Sequence, residues 1–120
     1  MTPQDLADRY TNMWNETGAE ARRGAVEALW VADGVHYVNA REARGYDALE
    51  ARVIGSHEKN VRDGGNRFRA QPNARRLRDV VTFNWEMNPA GSDEVLALGL
   101  QVMVLNDDGQ ILRDYQFIVA

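Results

Sequence analysis

Residues 79–119 read DVVTFNWEMNPAGSDEVLALGLQVMVLNDDGQILRDYQFIV, and their pattern is the strongest indication of the fold class. Its apolar side chains alternate with other residues or run together, which is typical of β-strands. The apolar runs are separated by two turn sequences, Asn88-Pro89-Ala90-Gly91 and Asn106-Asp107-Asp108-Gly109. Together with a shorter run before it, this half of the chain predicts strands at about Arg67–Gln71, Arg76–Met87, Glu94–Asn106 and Ile111–Val119.

The first half has a different pattern, because apolar residues from Asp5 to about Asp63 recur at three- and four-residue spacing, as in helices. Thr2 suits an N-cap and Pro3 the first helical position. We predict helices at Pro3–Glu16 and Ala19–Ala32, a strand at Val35–Asn39, a polar loop from Ala40 to Gly45 and a third helix that ends at Gly64-Gly65. Helices segregated from an antiparallel sheet predict an α+β fold with helices on one face of a curved sheet.

Length and composition limit the classes of protein that need to be considered. A chain of 120 residues with 44% hydrophobic and 27% charged residues predicts a single globular domain, residues 1–120. The net charge of −4 argues against a nucleic-acid partner. No apolar run is long enough for a membrane span, and the first residues do not resemble a signal peptide, so we expect a cytoplasmic protein.

Several kinds of chemistry lack the residues they need. The chain has no cysteine, which excludes disulfides and thiolate chemistry. Its two histidines have no partner at a metal-ligand spacing, so we expect no metal site, and we expect no cofactor. Neither Ser56 nor Ser92 lies in a nucleophile elbow, and Gly64-Gly65 indicates a helix end instead of a phosphate loop.

The order of elements resembles the cone-shaped nuclear transport factor 2-like (NTF2-like) roll, with three N-terminal helices packed on a curved antiparallel sheet. Local segments are similar to the SnoaL-like and ketosteroid isomerase-like branches. These segments are Arg9-Tyr10 with Trp14-Asn15, Leu29-Trp30 followed by Asp33-Gly34, Gly45-Tyr46-Asp47-Ala48-Leu49, Phe83-Asn84-Trp85-Glu86 and Asp108-Gly109-Gln110-Ile111. The resemblance covers nearly the whole chain and indicates a fold, whereas this fold hosts both enzymes and non-catalytic binders.

The ketosteroid isomerase pattern implies a tyrosine and an acid that donate hydrogen bonds to an enolate, and an aspartate that moves the proton. Tyr10 falls on the tyrosine position, but Gln101 stands in the place of the acid. The position of the aspartate is Val38, or Asn39 if the register shifts by one. Neither side chain accepts a proton near neutral pH, so the steroid-isomerase mechanism is disfavoured.

The resemblance also implies an apolar cavity between the helices and the concave face of the sheet. If Gln101 points inward, period-two alternation assigns inner faces to the other strands. Ala97, Gly99 and Met103 then point inward with Gln101, as do Leu112, Asp114, Gln116 and Ile118 on the last strand. For the long middle strand the resemblance favours Val81, Phe83, Trp85 and Met87 inside, and the opposite register stays open. The expected ligand contacts are Trp14, Trp30, His36, Val38, Val53, Phe83, Trp85, Gln101, Met103, Gln116 and Ile118. We expect an apolar ligand of roughly 10–20 heavy atoms in such a pocket.

Three residues are candidates for catalysis: Asp114, His57 and Tyr10. Asp114 would be a carboxylate among apolar side chains and could exchange protons, unless it forms a salt bridge or lies on the rim. His57 lies on the apolar face of the third helix and could act near neutral pH, although many such histidines only stabilise a core. Tyr10 could polarise a ligand or be a core aromatic residue.

The opposite face of the strand Glu94–Asn106 predicts self-association. Leu98, Leu100, Val102 and Val104 would form an exposed apolar row, which a symmetric homodimer through the outer sheet face would cover. Three functions remain: a proton-transfer isomerase, cyclase or dehydratase; a non-catalytic binder of an apolar small molecule; and a dimeric interaction module with an incidental pocket.

Overall fold

The computed structural model describes residues 1–120 and contains three α-helices and seven strands. The helices are α1 (Pro3–Asn15), α2 (Ala19–Leu29) and α3 (Tyr46–Ser56), and a π-helical segment, His57–Arg62, continues α3. The strands are β1 (Trp30–Val38), β2 (Arg41–Arg44), β3 (Asn66–Ala70), β4 (Arg75–Leu77), β5 (Val80–Pro89), β6 (Ala97–Leu105) and β7 (Ile111–Ile118). The predicted α+β class is confirmed: three helices pack on a curved, unclosed sheet.

The start of α1 follows from its first residues. The Thr2 hydroxyl accepts a hydrogen bond from the backbone N–H of Asp5 at 3.1 Å, and the Asp5 carboxylate accepts one from the Thr2 N–H at 3.0 Å. This reciprocal capping box satisfies two backbone donors that a helix start otherwise leaves free. The predicted N-cap is therefore confirmed.

The strands lie in the order β2-β1-β7-β6-β5-β3, and β4 pairs with β5. Neighbouring strands are antiparallel except β1 and β7, which run parallel. The prediction of a purely antiparallel sheet was wrong at this one pair. Alternation within a strand determines its two faces but not the direction of a neighbour that comes from the other end of the chain.

The inner face of the sheet has the predicted alternation. On β6, Gly99, Gln101 and Met103 are buried, whereas Leu100 and Val102 between them are only half-buried. On β5, the residues that share the inner face and enter the core include Val81, Phe83 and Trp85. Buried side chains of all three helices complete this hydrophobic core.

Three local predictions differ from the structure. The strand predicted at Arg76–Met87 is the hairpin of β4 and β5, which turns where Arg78 adopts a left-handed conformation with φ +54°. Trp30 was predicted on a helix, but it begins β1 and pairs with Ile111. The predicted polar loop from Ala40 to Gly45 contains β2, which forms a hairpin with β1. In each case, tertiary pairing overrides a weak local pattern.

Candidate functional site

A fully buried polar network lies between α1 and the inner face of the sheet. The Tyr10 hydroxyl donates to Asp114 Oδ2 at 2.5 Å, and His36 Nδ1 lies 2.7 Å from the same oxygen. Gln101 Nε2 donates to Asp114 Oδ1 and to the Tyr10 hydroxyl oxygen, the latter at 2.9 Å. All four side chains are at most 1% exposed. The network joins four residues that are widely separated along the chain.

The position of Asp114 follows from the register of its strand. Asp114 pairs with Met103 on β6 and with His36 on β1, so the inner face of β7 brings it between two strands. Tyr10, Gln101 and, when its Nδ1 carries a proton, His36 are all donors to the carboxylate. An ionised carboxylate in a core needs such donors because it has lost its water.

Tyr10 is held in its protonated form by this environment. Burial raises the pKa of the Tyr10 hydroxyl well above its ordinary value, and the nearby charge of Asp114 raises it further. Tyr10 is therefore a neutral phenol whose proton lies on a short hydrogen bond to a carboxylate. This geometry allows the proton to pass between the two oxygens.

His36 has one partnered and one free ring nitrogen. Its Nδ1 faces Asp114, whereas its buried Nε2 has no hydrogen-bond partner. In a neutral imidazole whose Nδ1 donates to the carboxylate, Nε2 carries no proton and can accept a hydrogen bond. The ring packs against Trp14, with ring centroids 5.6 Å apart. The carboxylate contacts one ring nitrogen and thereby orients the histidine ring.

Gln101 is oriented by an aromatic neighbour. Trp85 Nε1 donates to Gln101 Oε1 at 3.0 Å, which leaves the Gln101 amide nitrogen to face Tyr10 and Asp114. The Trp85 indole lies over Gly99, where a β-carbon would overlap the ring. The missing side chain at Gly99 is thus what allows Trp85 to hold the network in place.

A cavity of about 170 Å³ lies beside this network. Tyr10 and Trp85 belong to both the network and the cavity wall. The predicted site residues that line the cavity are Tyr10, Trp14, Trp85, Gln116 and Ile118. Ile118 is 50% exposed and lies where the cavity meets the surface. The volume is below the ~300–1,000 Å³ of drug-sized sites, so it suits a smaller ligand than the sequence suggested.

The other predicted residues lie away from the cavity wall. Asp114, His36 and Gln101 form the network behind it, whereas Trp30, Val38, Val53, Phe83 and Met103 are buried elsewhere in the interior. His57 begins the π-helical segment, is buried and does not line the cavity. Burial lowers the pKa of His57, and the positive charges of Arg22 and Arg62 lower it further.

Two further residues of the cavity wall, Met87 and Ala97, were expected on the inner sheet face but not as ligand contacts. The other five were not identified from the sequence: Thr11, Arg52, Ser56, Asn60 and Phe68. The four-residue spacing of Arg52, Ser56 and Asn60 is the one signal that could have found them, because it places side chains on one helix face. Arg52 stacks over Trp14, with its guanidinium carbon 5.3 Å from the ring centroid.

No three potential metal-ligating side chains come together in the structure. None of the helices has the length and apolar character needed to cross a bilayer.

Comparison with known proteins identifies the fold. No protein-family model and no curated protein matches the chain. Among solved structures, a proposed isomerase of the SnoaL-like family from Agrobacterium tumefaciens strain C58 is 24% identical, with a TM-score of 0.86, and the match covers 98% of this chain and 97% of that one.

Two further solved structures are more distant in sequence. An NTF2-like protein of unknown function from Exiguobacterium is 19% identical, with a TM-score of 0.69 over 95% of this chain and 98% of that one. A proposed polyketide cyclase from Sinorhizobium meliloti is 12% identical, with a TM-score of 0.67 over 94% of each chain. The chain therefore has the NTF2-like fold, as the SnoaL-like proteins do.

Proposed function

We propose that this chain is a small-molecule pocket protein of the SnoaL-like type that catalyses proton transfer, as an isomerase, cyclase or dehydratase, on a small apolar metabolite. One observation carries the proposal: a buried carboxylate is hydrogen-bonded to a tyrosine that forms part of a cavity wall. A polar network in a core costs desolvation free energy, and buried titratable clusters beside cavities are typical of functional sites. The names of the two related structures agree with this class of reaction.

The geometry supports a relay through Tyr10. A ligand C–H gives its proton to the Tyr10 oxygen while Tyr10 passes its own proton to Asp114 Oδ2. The products are a ligand enolate, a neutral Tyr10 and a protonated Asp114. Return of the proton through the same two residues to a different ligand atom completes an isomerisation. Asp114 thus acts through Tyr10, with Gln101 and His36 holding it in position.

Solvent-deuterium incorporation tests the proposal without knowledge of the natural substrate. Cyclohexanone and acetophenone, which are small and uncharged, are incubated with the protein in deuterium oxide, and proton exchange beside the carbonyl is followed by NMR. We expect the native protein to accelerate exchange and Tyr10→Phe to lower the enzymatic rate by roughly 100-fold or more, as is typical for loss of a proton-transfer group.

Tyr46→Phe is the matched control for this experiment. Tyr46 is half-buried, donates its hydroxyl hydrogen to the Trp30 carbonyl at 3.2 Å and does not line the cavity. The exchange rate of this variant should stay within a few-fold of native. Equal loss in both variants, or an unchanged rate in Tyr10→Phe, would contradict the relay.

The alternative function is a non-catalytic binder of an apolar small molecule. Its support is that both Asp114 oxygens already have donors within the protein and that Asp114 does not line the cavity. Under this alternative the network only stabilises the cavity wall. Binding of the ketones without any accelerated exchange in the native protein would favour it.

A further inference from the structure

The cavity contains a cation without an acidic partner. Arg52 lines the cavity and is half-buried, and its Nε atom is buried without a hydrogen-bond acceptor. Its guanidinium has no carboxylate within salt-bridge distance. Burial lowers the pKa of Arg52, and the charge of Arg41 lowers it further. The surroundings of this guanidinium thus disfavour its positive charge.

Two other arginines of this chain, Arg22 and Arg23, have hydrogen-bond acceptors for their guanidinium groups. The buried Arg22 donates to the backbone carbonyls of Glu16 and Thr17. Arg23 forms ion pairs with three carboxylates on α2 and α3. Because a buried N–H without an acceptor costs desolvation free energy, a bound molecule that supplies an acceptor to Arg52 Nε would be stabilised there.

The cavity wall around Arg52 is suited to an anion. None of the residues that line the cavity is acidic. Ser56 and Asn60 follow Arg52 at four-residue spacing, and Asn60 Nδ2 donates to Ser56 Oγ at 3.2 Å. That bond uses the Ser56 oxygen as an acceptor and leaves the hydroxyl hydrogen free to donate. Arg52 and Ser56 therefore offer donors to the same region.

Four aromatic residues form part of the remaining wall: Tyr10, Trp14, Phe68 and Trp85. Trp14 lies under the Arg52 guanidinium, and Phe68 packs edge-on against Trp85 with ring centroids 5.6 Å apart. These rings, with Met87 and Ile118, make the rest of the wall largely apolar. A cavity of about 170 Å³ holds a molecule of about one ring.

We propose that the cavity binds the carboxylate of a small, ring-containing acid, with the carboxylate on Arg52 and Ser56 and the ring against Trp14, Phe68 and Trp85. This inference rests on the proposed small-molecule pocket and changes its ligand from a wholly apolar molecule to an apolar ring that carries one carboxylate. A guanidinium is the donor best matched to a planar carboxylate, because it can donate two parallel hydrogen bonds. A neutral amide or ketone offers Arg52 only a carbonyl oxygen, which accepts a hydrogen bond without the charge and the second oxygen of a carboxylate.

Benzoate and its neutral analogue benzamide test the inference. Their dissociation constants are measured by calorimetry at neutral pH for the native protein, Arg52→Gln and Arg41→Gln. We expect the native protein to bind benzoate roughly 10-fold or more tightly than benzamide, as expected for a charge-assisted hydrogen bond. Arg52→Gln should lose this preference, whereas Arg41→Gln, which removes an exposed charge outside the cavity wall, should keep most of it.

The outcomes distinguish a failure of this inference from a failure of the proton-transfer proposal. Retained benzamide binding in Arg52→Gln shows that the variant is folded, so a selective loss of benzoate supports the inference. Equal binding of the two compounds by the native protein, binding of neither, or an unchanged preference in Arg52→Gln overturns it. Proton transfer is tested on uncharged ketones and through Tyr10, so it can succeed when anion binding fails, and the reverse also holds.

Discussion

The Asp114 carboxylate is 0% exposed, so its charge is stabilised by protein donors instead of water. Removal of one donor from such a buried group costs more free energy than an average hydrogen bond contributes, because the partner stays buried and unsatisfied. Tyr10 and Gln101 are therefore structural as well as functional residues. The deuterium-exchange rate of Tyr10→Phe is therefore measured on folded protein and compared with the rate of Tyr46→Phe.

Gly99 gives a prediction at the scale of single residues. Gly99→Ala places a methyl group where the Trp85 indole lies, so the indole must move and its hydrogen bond to Gln101 is lost. We expect the free energy of unfolding to fall by about 1–3 kcal/mol, as for other overpacked cores. Urea unfolding followed by tryptophan fluorescence measures this change.

Gly24→Ala is the matched control for that substitution. Gly24 lies within α2 and has no atom near the position of an added β-carbon. Alanine there should raise the free energy of unfolding by about 0.5–1 kcal/mol, because glycine is a poor helix former. A Gly99→Ala protein as stable as native would show that Trp85 is not packed against the glycine.

At the scale of elements, the sequence predicts a feature when the residues that form its hydrogen bonds lie close together in the chain. The capping box of α1 involves residues three apart, so Thr2 and Asp5 identify the helix start without any tertiary information. The hairpin between β4 and β5 had no such signal, because its turn uses Arg78 in a conformation that favours glycine or asparagine. The π-helical segment after α3 likewise has no sequence pattern that identifies it.

Thr2 provides the prediction at this scale. Thr2→Ala removes the side-chain acceptor for the Asp5 N–H, and we expect the free energy of unfolding to fall by about 1 kcal/mol. Thr2→Ser keeps the hydroxyl and should stay within a few tenths of a kcal/mol of native. Urea titrations of the three proteins measure the effect. Equal stability of Thr2→Ala and Thr2→Ser would argue against the cap.

At the scale of the whole molecule, we propose a homodimer through the outer sheet face. Leu98, Leu100, Val102 and Val104 are half-buried there, and Phe117 on the neighbouring strand is 55% exposed. A symmetric partner would cover this apolar surface. Sedimentation velocity should give a mass twice the 13.5 kDa of one chain.

Val102→Asp tests this interface. An unpaired carboxylate at the centre of the row should convert the dimer to a monomer, because it would be desolvated in the interface. Val95→Asp, at an exposed apolar residue before β6, is the control and should leave the mass unchanged. A monomeric native protein, or a dimer that persists in Val102→Asp, would rule out this arrangement.

Periodicity and capping among near neighbours were enough to predict the α+β class, the start of α1 and the alternation of buried residues along β6. On β7 the same alternation failed at one end, where a register shift buries Ile111 in place of the expected Leu112. The parallel pairing of β1 with β7, which brings His36 to Asp114 across 78 positions of chain, depends on tertiary packing that no local pattern predicts. Tertiary packing also placed Arg52 in the cavity without an acidic partner. A local pattern specifies which side of an element is buried. The residues that this side contacts depend on how elements distant in the chain pack against it.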